Sequence, residues 1–165
     1  LGMEPVDALL HIIERDELRT GGIFFGMCEE NMWKILAQPW VMVGCDASLR
    51  APDGILSKDH PHPRAYGSFT KLLRASLDGQ TVPLPEMIRK MTSLAAEQFR
   101  LKGRGVLKKG NFADIVVFDP ATVKENTSYK DPHRLSSGVT ALVINGTPTL
   151  QDGKLTGKWA GVFLG

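Results

Sequence analysis

Cysteine is scarce in this sequence. Cys28 and Cys45 are the only two in 165 residues, and such a pair makes no disulfide framework. Free thiols fit a reducing compartment, so a cytoplasmic location is expected. Long apolar runs are missing too; the longest are a handful of residues, too short to span a bilayer. The opening Leu1-Gly2-Met3-Glu4-Pro5 has neither the basic start nor the apolar stretch of a signal peptide. It does not begin on Met, as expected of a fragment or a processed product. An excess of one charge is also lacking. Twenty Lys and Arg against eighteen Asp and Glu leave a formal charge of +2. With no basic block, neither nucleic acid nor an anionic membrane is an expected partner. No phosphate loop, dinucleotide fingerprint, nucleophile elbow or Cys-x-x-Cys pair occurs.

What is present reads as a βα half followed by a β half, with a boundary near residue 101. Residues 4 to about 16 have Pro5 and Asp7 in the first turn, and Val6, Leu9, Leu10 and Ile13 on one face, which predicts a helix. Gly21-Gly22 breaks it, and Ile23-Phe24-Phe25 reads as a short apolar strand. Glu29 and Glu30 open a second helix with Met32, Ile35 and Leu36 on its buried face, stopped by Pro39. Val41-Met42-Val43 reads as another strand, giving a βαβ unit of parallel strands buried on both faces. A long loop rich in Pro, Gly, Asp and His follows, from about Ala47 to Arg64, too long for a mere connector. Further helices are expected over 66–77 and 84–99, the latter with Met87, Ile88, Met91, Leu94 and Ala95 at helical spacing. Beyond Gly103 the pattern turns to strands. Asn145-Gly146 between apolar runs is a strong hairpin signal, since both turn residues need positive φ, and Asp152-Gly153 repeats it.

Asp46 is the best candidate for chemistry. A carboxylate ending a buried strand stands at the mouth of a sheet, where it can bind a metal or take a proton from metal-bound water. The bland alternative is an Asp that caps a loop. Arg64 could grip a substrate carboxylate through two parallel hydrogen bonds, or simply be a solvated loop residue. His60 and His62 form an H-x-H, but each precedes a Pro in a loop and no third ligand adjoins them. A small metal site of His60, His62 and Asp46 is the weakest reading; for His62 a supporting role that orders the loop is expected. Cys45 alternates with Asp46 and is expected to be a buried, inert thiol facing away from the mouth. His11 and His133 have no partner nearby in sequence.

Taken together, Val41-Met42-Val43-Gly44-Cys45-Asp46, His62-Pro63-Arg64-Ala65-Tyr66-Gly67-Ser68-Phe69, Lys90-Met91-Thr92-Ser93-Leu94-Ala95-Ala96-Glu97, Gly103-Arg104-Gly105, the run from Gly110 to Pro120, Val143-Ile144-Asn145-Gly146 and Asp152-Gly153-Lys154-Leu155-Thr156-Gly157 resemble the C-terminal portion of the N-acyl-D-amino-acid deacylases, within the metal-dependent amidohydrolases. The likeness spans nearly the whole chain, in order. It implies an α/β architecture: residues 1–100 as the last two βα units of a (β/α)8 barrel, left incomplete, and residues 101–165 as a share of a small β-sandwich. It implies a hydrolase that cleaves the amide of an N-acyl-D-amino acid with zinc. Asp46 would match the acidic residue at the end of the eighth strand, beside the zinc, which serves as general base. Arg64 would match the arginine that holds the substrate's α-carboxylate.

Two departures stand out. Cys45 occupies a place where Ser is more usual. The N-terminal H-x-H, the Cys or Lys metal ligand and the further histidines of the family are absent, so Asp46 is at most one ligand of an incomplete site. No zinc is expected to bind this chain alone, and it is expected to be inactive by itself. The alternative is a non-catalytic, self-associating remnant, or a subunit that completes a barrel with an N-terminal portion on another chain.

Overall fold

The computed structural model describes residues 1–22, 26–80 and 82–164. The chain falls into two units, residues 1–32 and 33–165. The first contains α1, Pro5–Arg15, with Pro5 in its first turn, Asp7 near its positive end and Arg15 near its negative one. The predicted amphipathic helix forms, but none of its residues is buried; Val6, Leu9 and Leu10 are all exposed. Ile23-Phe24-Phe25 lies outside the described residues. α2 runs over Glu29–Leu36. Of the three apolar residues expected to be buried there, only Leu36 is, while Met32 and Ile35 are exposed.

The second unit is built from helices and one small sheet. α3 spans Arg64–Leu77, α4 Leu84–Met91 and α5 Ser93–Gln98. The single helix expected over 84–99 is therefore two, broken at Thr92, whose φ of −131° and ψ of −87° are not helical. The Thr92 hydroxyl donates to Ile88 O at 2.7 Å, a side-chain bond that competes with the backbone ladder and favours a bend. Leu36, Val43, Val82 and Met87 form the core here, with Trp33, Val41, Leu72 and Met91 packed against them.

Val41-Met42-Val43 is not a strand. Among the described residues it has no ladder partner. Instead, Val41 N–H donates to Gln38 O and Val43 N–H donates to Lys90 O at 3.2 Å. Val43 is buried, as its apolar character requires, but its backbone N–H is satisfied by α4 rather than by a neighbouring strand.

The β half forms an antiparallel sheet in the order β1-β2-β3-β4: Ile115–Phe118, Val139–Ile144, Thr147–Gln151 and Lys154–Leu155. β1 pairs with β2 from Ile115 opposite Val143 to Phe118 opposite Val139, with a bulge near Phe118. A second bulge between β2 and β3 falls beside Pro148, a residue with no ladder donor. The turn residues behave as their chemistry demands: Asn145 and Gly146 have φ of 48° and 78°, and Asp152 and Gly153 have 50° and 72°. Arg104 ties the hairpin down. It pairs with Asp114, donates to Asn145 Oδ1 at 2.6 Å and lies 4.2 Å over the Phe112 ring. Burial pushes the Asp114 carboxyl upward, but the Asn145 backbone N–H and the Arg104 guanidinium outweigh it and hold its pKa below the usual value.

Candidate active site

The loop 47–63 returns the chain to α3, whose first residue is Arg64. Pro63 stands just before it, and Pro63 O accepts Gly67 N–H at 3.1 Å. This start of the helix places the Arg64 guanidinium 3.0 Å from Asp46 Oδ1. The two residues singled out for chemistry thus meet, although 18 positions separate them. The Asp46 side chain is 78% exposed and that of Arg64 44%, so both are open to an incoming solute.

Cys45 is neither buried nor turned away from this pair. It is an exposed free thiol whose Sγ donates to Arg64 O at 3.3 Å. Ser68 Oγ, one turn along α3, lies 3.6 Å from the sulfur and donates to Arg64 O at 3.0 Å. The expected alternation failed because no ladder straightens this segment, so Cys45 and Asp46 both reach the first turn of α3.

His62 adjoins the pair through the backbone. Arg64 N–H donates to its Nδ1 at 3.0 Å, so in the neutral ring the proton sits on Nε2. Nε2 lies 2.9 Å from the Tyr129 hydroxyl and therefore donates to it, with the two rings edge-on at 5.1 Å. His60 Nε2 bonds to the Tyr129 carbonyl at 2.7 Å. His133, left without a role by the sequence, bonds Asp59 O at 2.7 Å and lies 3.4 Å from the Tyr66 hydroxyl. Asp59 in turn pairs with Arg50 at 2.7 Å. The histidine-bearing loop is thus stitched to residues 129–133. Tyr129, Ser68 and His133 carry no local signal; Tyr129 stands 67 positions from His62.

These contacts bear on metal binding. A protein zinc site needs about three protein ligands. Asp46 is engaged by Arg64, both nitrogens of His62 are engaged, and His60 Nε2 is taken by a carbonyl. No group of three His, Cys, Asp or Glu side chains converges among the described residues. The residues present do not fit a zinc ion by themselves. A separate groove of about 790 Å³, lined by Phe99, Arg104, Phe112 and Trp159 among others, includes neither Asp46 nor Arg64.

Residues 46–150, more than half of the chain, match the amidohydrolase family. This chain belongs to the amidohydrolase family. The match starts at Asp46 and takes in Arg64, the three helices α3, α4 and α5, and the hairpin. Among its relatives, the D-aminoacylase of Alcaligenes xylosoxydans xylosoxydans is 39% identical over 88% of this chain and 29% of its own length. The N-acyl-D-aspartate deacylase of the same organism is 38% identical over 84% of this chain and 26% of its own. A crystal structure of D-aminoacylase superimposes with a TM-score of 0.76 at 36% identity, covering 88% of this chain and 30% of that one. N-acyl-D-glutamate deacylase from Bordetella bronchiseptica, solved with zinc and a phosphonate mimic of the tetrahedral intermediate, gives 0.66 at 36% identity, covering 74% of this chain and 25% of that one. This amidohydrolase chain therefore spans less than a third of the length of the relatives it matches. No helix among the described residues is long and apolar enough to cross a membrane.

Proposed function

We propose that this chain is the C-terminal portion of a zinc-dependent N-acyl-D-amino-acid deacylase and that it does not turn over substrate alone. Residues 1–100 would belong to the barrel and residues 101–165 to a β-sandwich. The observation that carries the reading is the 3.0 Å Asp46–Arg64 contact, at the start of the matched region and open to solvent. It joins a proton acceptor to a carboxylate receptor, the two polar functions that hydrolysis of an N-acyl amino acid requires. The Arg64 guanidinium would take the substrate's α-carboxylate as a planar, bidentate pair. The incoming carboxylate competes with Asp46 for that guanidinium, so binding frees the Asp46 oxygens. Asp46 would then accept a proton from the attacking water and return it to the leaving amine. His62 would order the loop behind Arg64.

The test compares the isolated 165-residue chain with a complete enzyme containing it, each supplied with zinc and N-acetyl-D-amino acids. The chain alone should be silent and the complete enzyme active on D substrates. Robust turnover by the isolated chain would overturn the claim of incompleteness; a complete enzyme inert towards every N-acyl-D-amino acid would overturn the substrate class.

A second reading, a self-associating non-catalytic domain, is favoured by one observation. Large apolar side chains stand exposed in both units, including Leu9 and Leu10 in the first and Trp159 and Phe163 in the second.

A further inference from the structure

Lys90 has no solvent exposure at all. Its ammonium donates to Gln38 O, to Val41 O at 2.8 Å, and faces Glu86 Oε1 at 3.7 Å. Two of its three donors are bonded to main-chain carbonyls of the segment that leads to Asp46, and the Glu86 carboxylate faces the charge. The main chain of the same residue completes the hold, because Lys90 O accepts Val43 N–H at 3.2 Å. Arg89 adds a bond from Nη2 to Pro39 O at 2.6 Å, and Glu86 braces Arg89 through two bonds of 2.8 Å. One turn of α4 therefore grips residues 38 to 43 at four backbone groups.

From these contacts we propose that Lys90 is a positioning residue for Asp46, a proposal that rests on reading Asp46 as the general base. A buried charge is poor material for a core, where an apolar side chain of similar volume serves at least as well. What an ammonium supplies and a Met does not is two directed hydrogen bonds and a charge that faces Glu86. Here the bonds fix two carbonyls, and with them the path of the chain. Only Gly44 and Cys45 separate the held Val43 from Asp46. A Cβ placed on Gly44 would touch nothing, so packing at that residue does not aim the chain. Aim comes from anchors on either side: upstream, the Lys90 ammonium on Gln38 O and Val41 O, backed by the main-chain bond from Val43 N–H to Lys90 O; downstream, the Cys45 thiol on Arg64 O. Losing the ammonium frees Gln38 O and Val41 O and leaves only the main-chain bond at Val43 upstream of Asp46, while Arg64, at the start of its own helix, stays in place.

The experiment uses the complete enzyme and the variants Lys90→Met, Lys90→Gln and Asp46→Asn. Lys90→Met should lower kcat roughly ten- to hundred-fold with KM within about twofold, as expected when a reacting group is misplaced but the substrate anchor is kept. In the Asp46→Asn background it should change kcat little further, because both changes remove the same function. Lys90→Gln, which keeps a donor, should fall between and guards against a Met variant that does not fold. Amide hydrogen exchange should quicken over residues 41–46 and stay unchanged over 64–77. Unchanged exchange over 41–46, or an equal loss of kcat with and without Asp46, overturns the proposal. Exchange is read whether or not the enzyme cleaves N-acyl-D-amino acids, so a wrong reading of Asp46 and a wrong reading of Lys90 give different results.

Discussion

Asp46 and Arg64 face each other with water on one side, and their value lies in being separable. A surface pair of this kind contributes about 1 kcal/mol or less to folding. Substitution should therefore touch activity far more than stability. Arg64→Lys keeps the charge and loses the planar fork; in the complete enzyme KM should rise by about ten- to hundred-fold with a smaller change in kcat, measured by steady-state assay of N-acetyl-D-amino acids. An unchanged KM would remove Arg64 from carboxylate binding. Behind the pair, Tyr129→Phe removes the hydroxyl that accepts from His62. The expected cost is about 0.5–1.5 kcal/mol in local opening of the loop, seen as faster proteolysis over residues 54–63. Residue chemistry of this kind was half legible in the sequence. Asp46 stood out as a carboxylate expected to end a buried strand, a strand that does not form, and Arg64 as the residue that closes the long loop; the structure nevertheless brings the two together. Tyr129, His133 and Lys90 did not, since a tyrosine in a polar loop and a lysine on a helix look solvated until the fold brings their partners to them.

At the scale of elements, local patterns that close on themselves were read well. Asn145-Gly146 and Asp152-Gly153 need no distant partner to turn the chain, and the sheet they organise has the expected strands. The Val41-Met42-Val43 strand needed a neighbour, and among the described residues the neighbour is a helix. The break at Thr92 was hidden because a hydroxyl folding back on Ile88 O leaves the apolar spacing on either side intact. Close approach between segments sets the sharpest stability prediction. Gly138 has φ of 83°, and a Cβ there would lie 2.3 Å from Val123 Cα and N. Gly138→Ala should cost roughly 4 kcal/mol or more. Gly146→Ala, at φ of 78° with nothing within 4 Å, should cost only about 1–2 kcal/mol; denaturant midpoints would separate them. On α4, the hydrogen bond from Arg89 holds the Glu86 pKa below its usual 4.5. A depressed carboxylate pKa stabilises the fold above the unfolded-state value and loses that contribution as pH falls through the folded one. Stability should therefore decline as the solution is acidified below about pH 4.5, and Glu86→Gln should flatten that decline while leaving it in place for Asp114 and Asp119, whose pKa values are also lowered.

For the whole molecule, the sequence conveyed membership better than architecture. Ordered motifs survive in a chain covering less than a third of its relatives' length, while the architecture among the described residues is a set of helices with one small antiparallel sheet. Such a chain carries much unpaired apolar surface. Val6, Leu9 and Leu10 on α1, and Trp159 and Phe163 near the end of the second unit, are all more than half exposed. The isolated chain should associate as its concentration rises, which sedimentation velocity would detect; a compact monomer at every concentration argues that these faces are tolerated in water.

The hairpin at Asn145 also bears on chemical ageing. Asn-Gly is the dipeptide most prone to deamidate, by attack of the glycine nitrogen on the asparagine side-chain carbonyl. Here the Gly146 N–H is bonded to Ala113 O at 3.0 Å, Asn145 Nδ2 donates to Ala160 O at 2.7 Å, and Asn145 Oδ1 is held by Arg104. The nucleophile and the leaving group are both restrained, so this site should lose its amide slowly while the fold is intact and quickly once it is not. Its rate of conversion, followed by mass spectrometry during storage, is then an internal clock for unfolding of the β sheet.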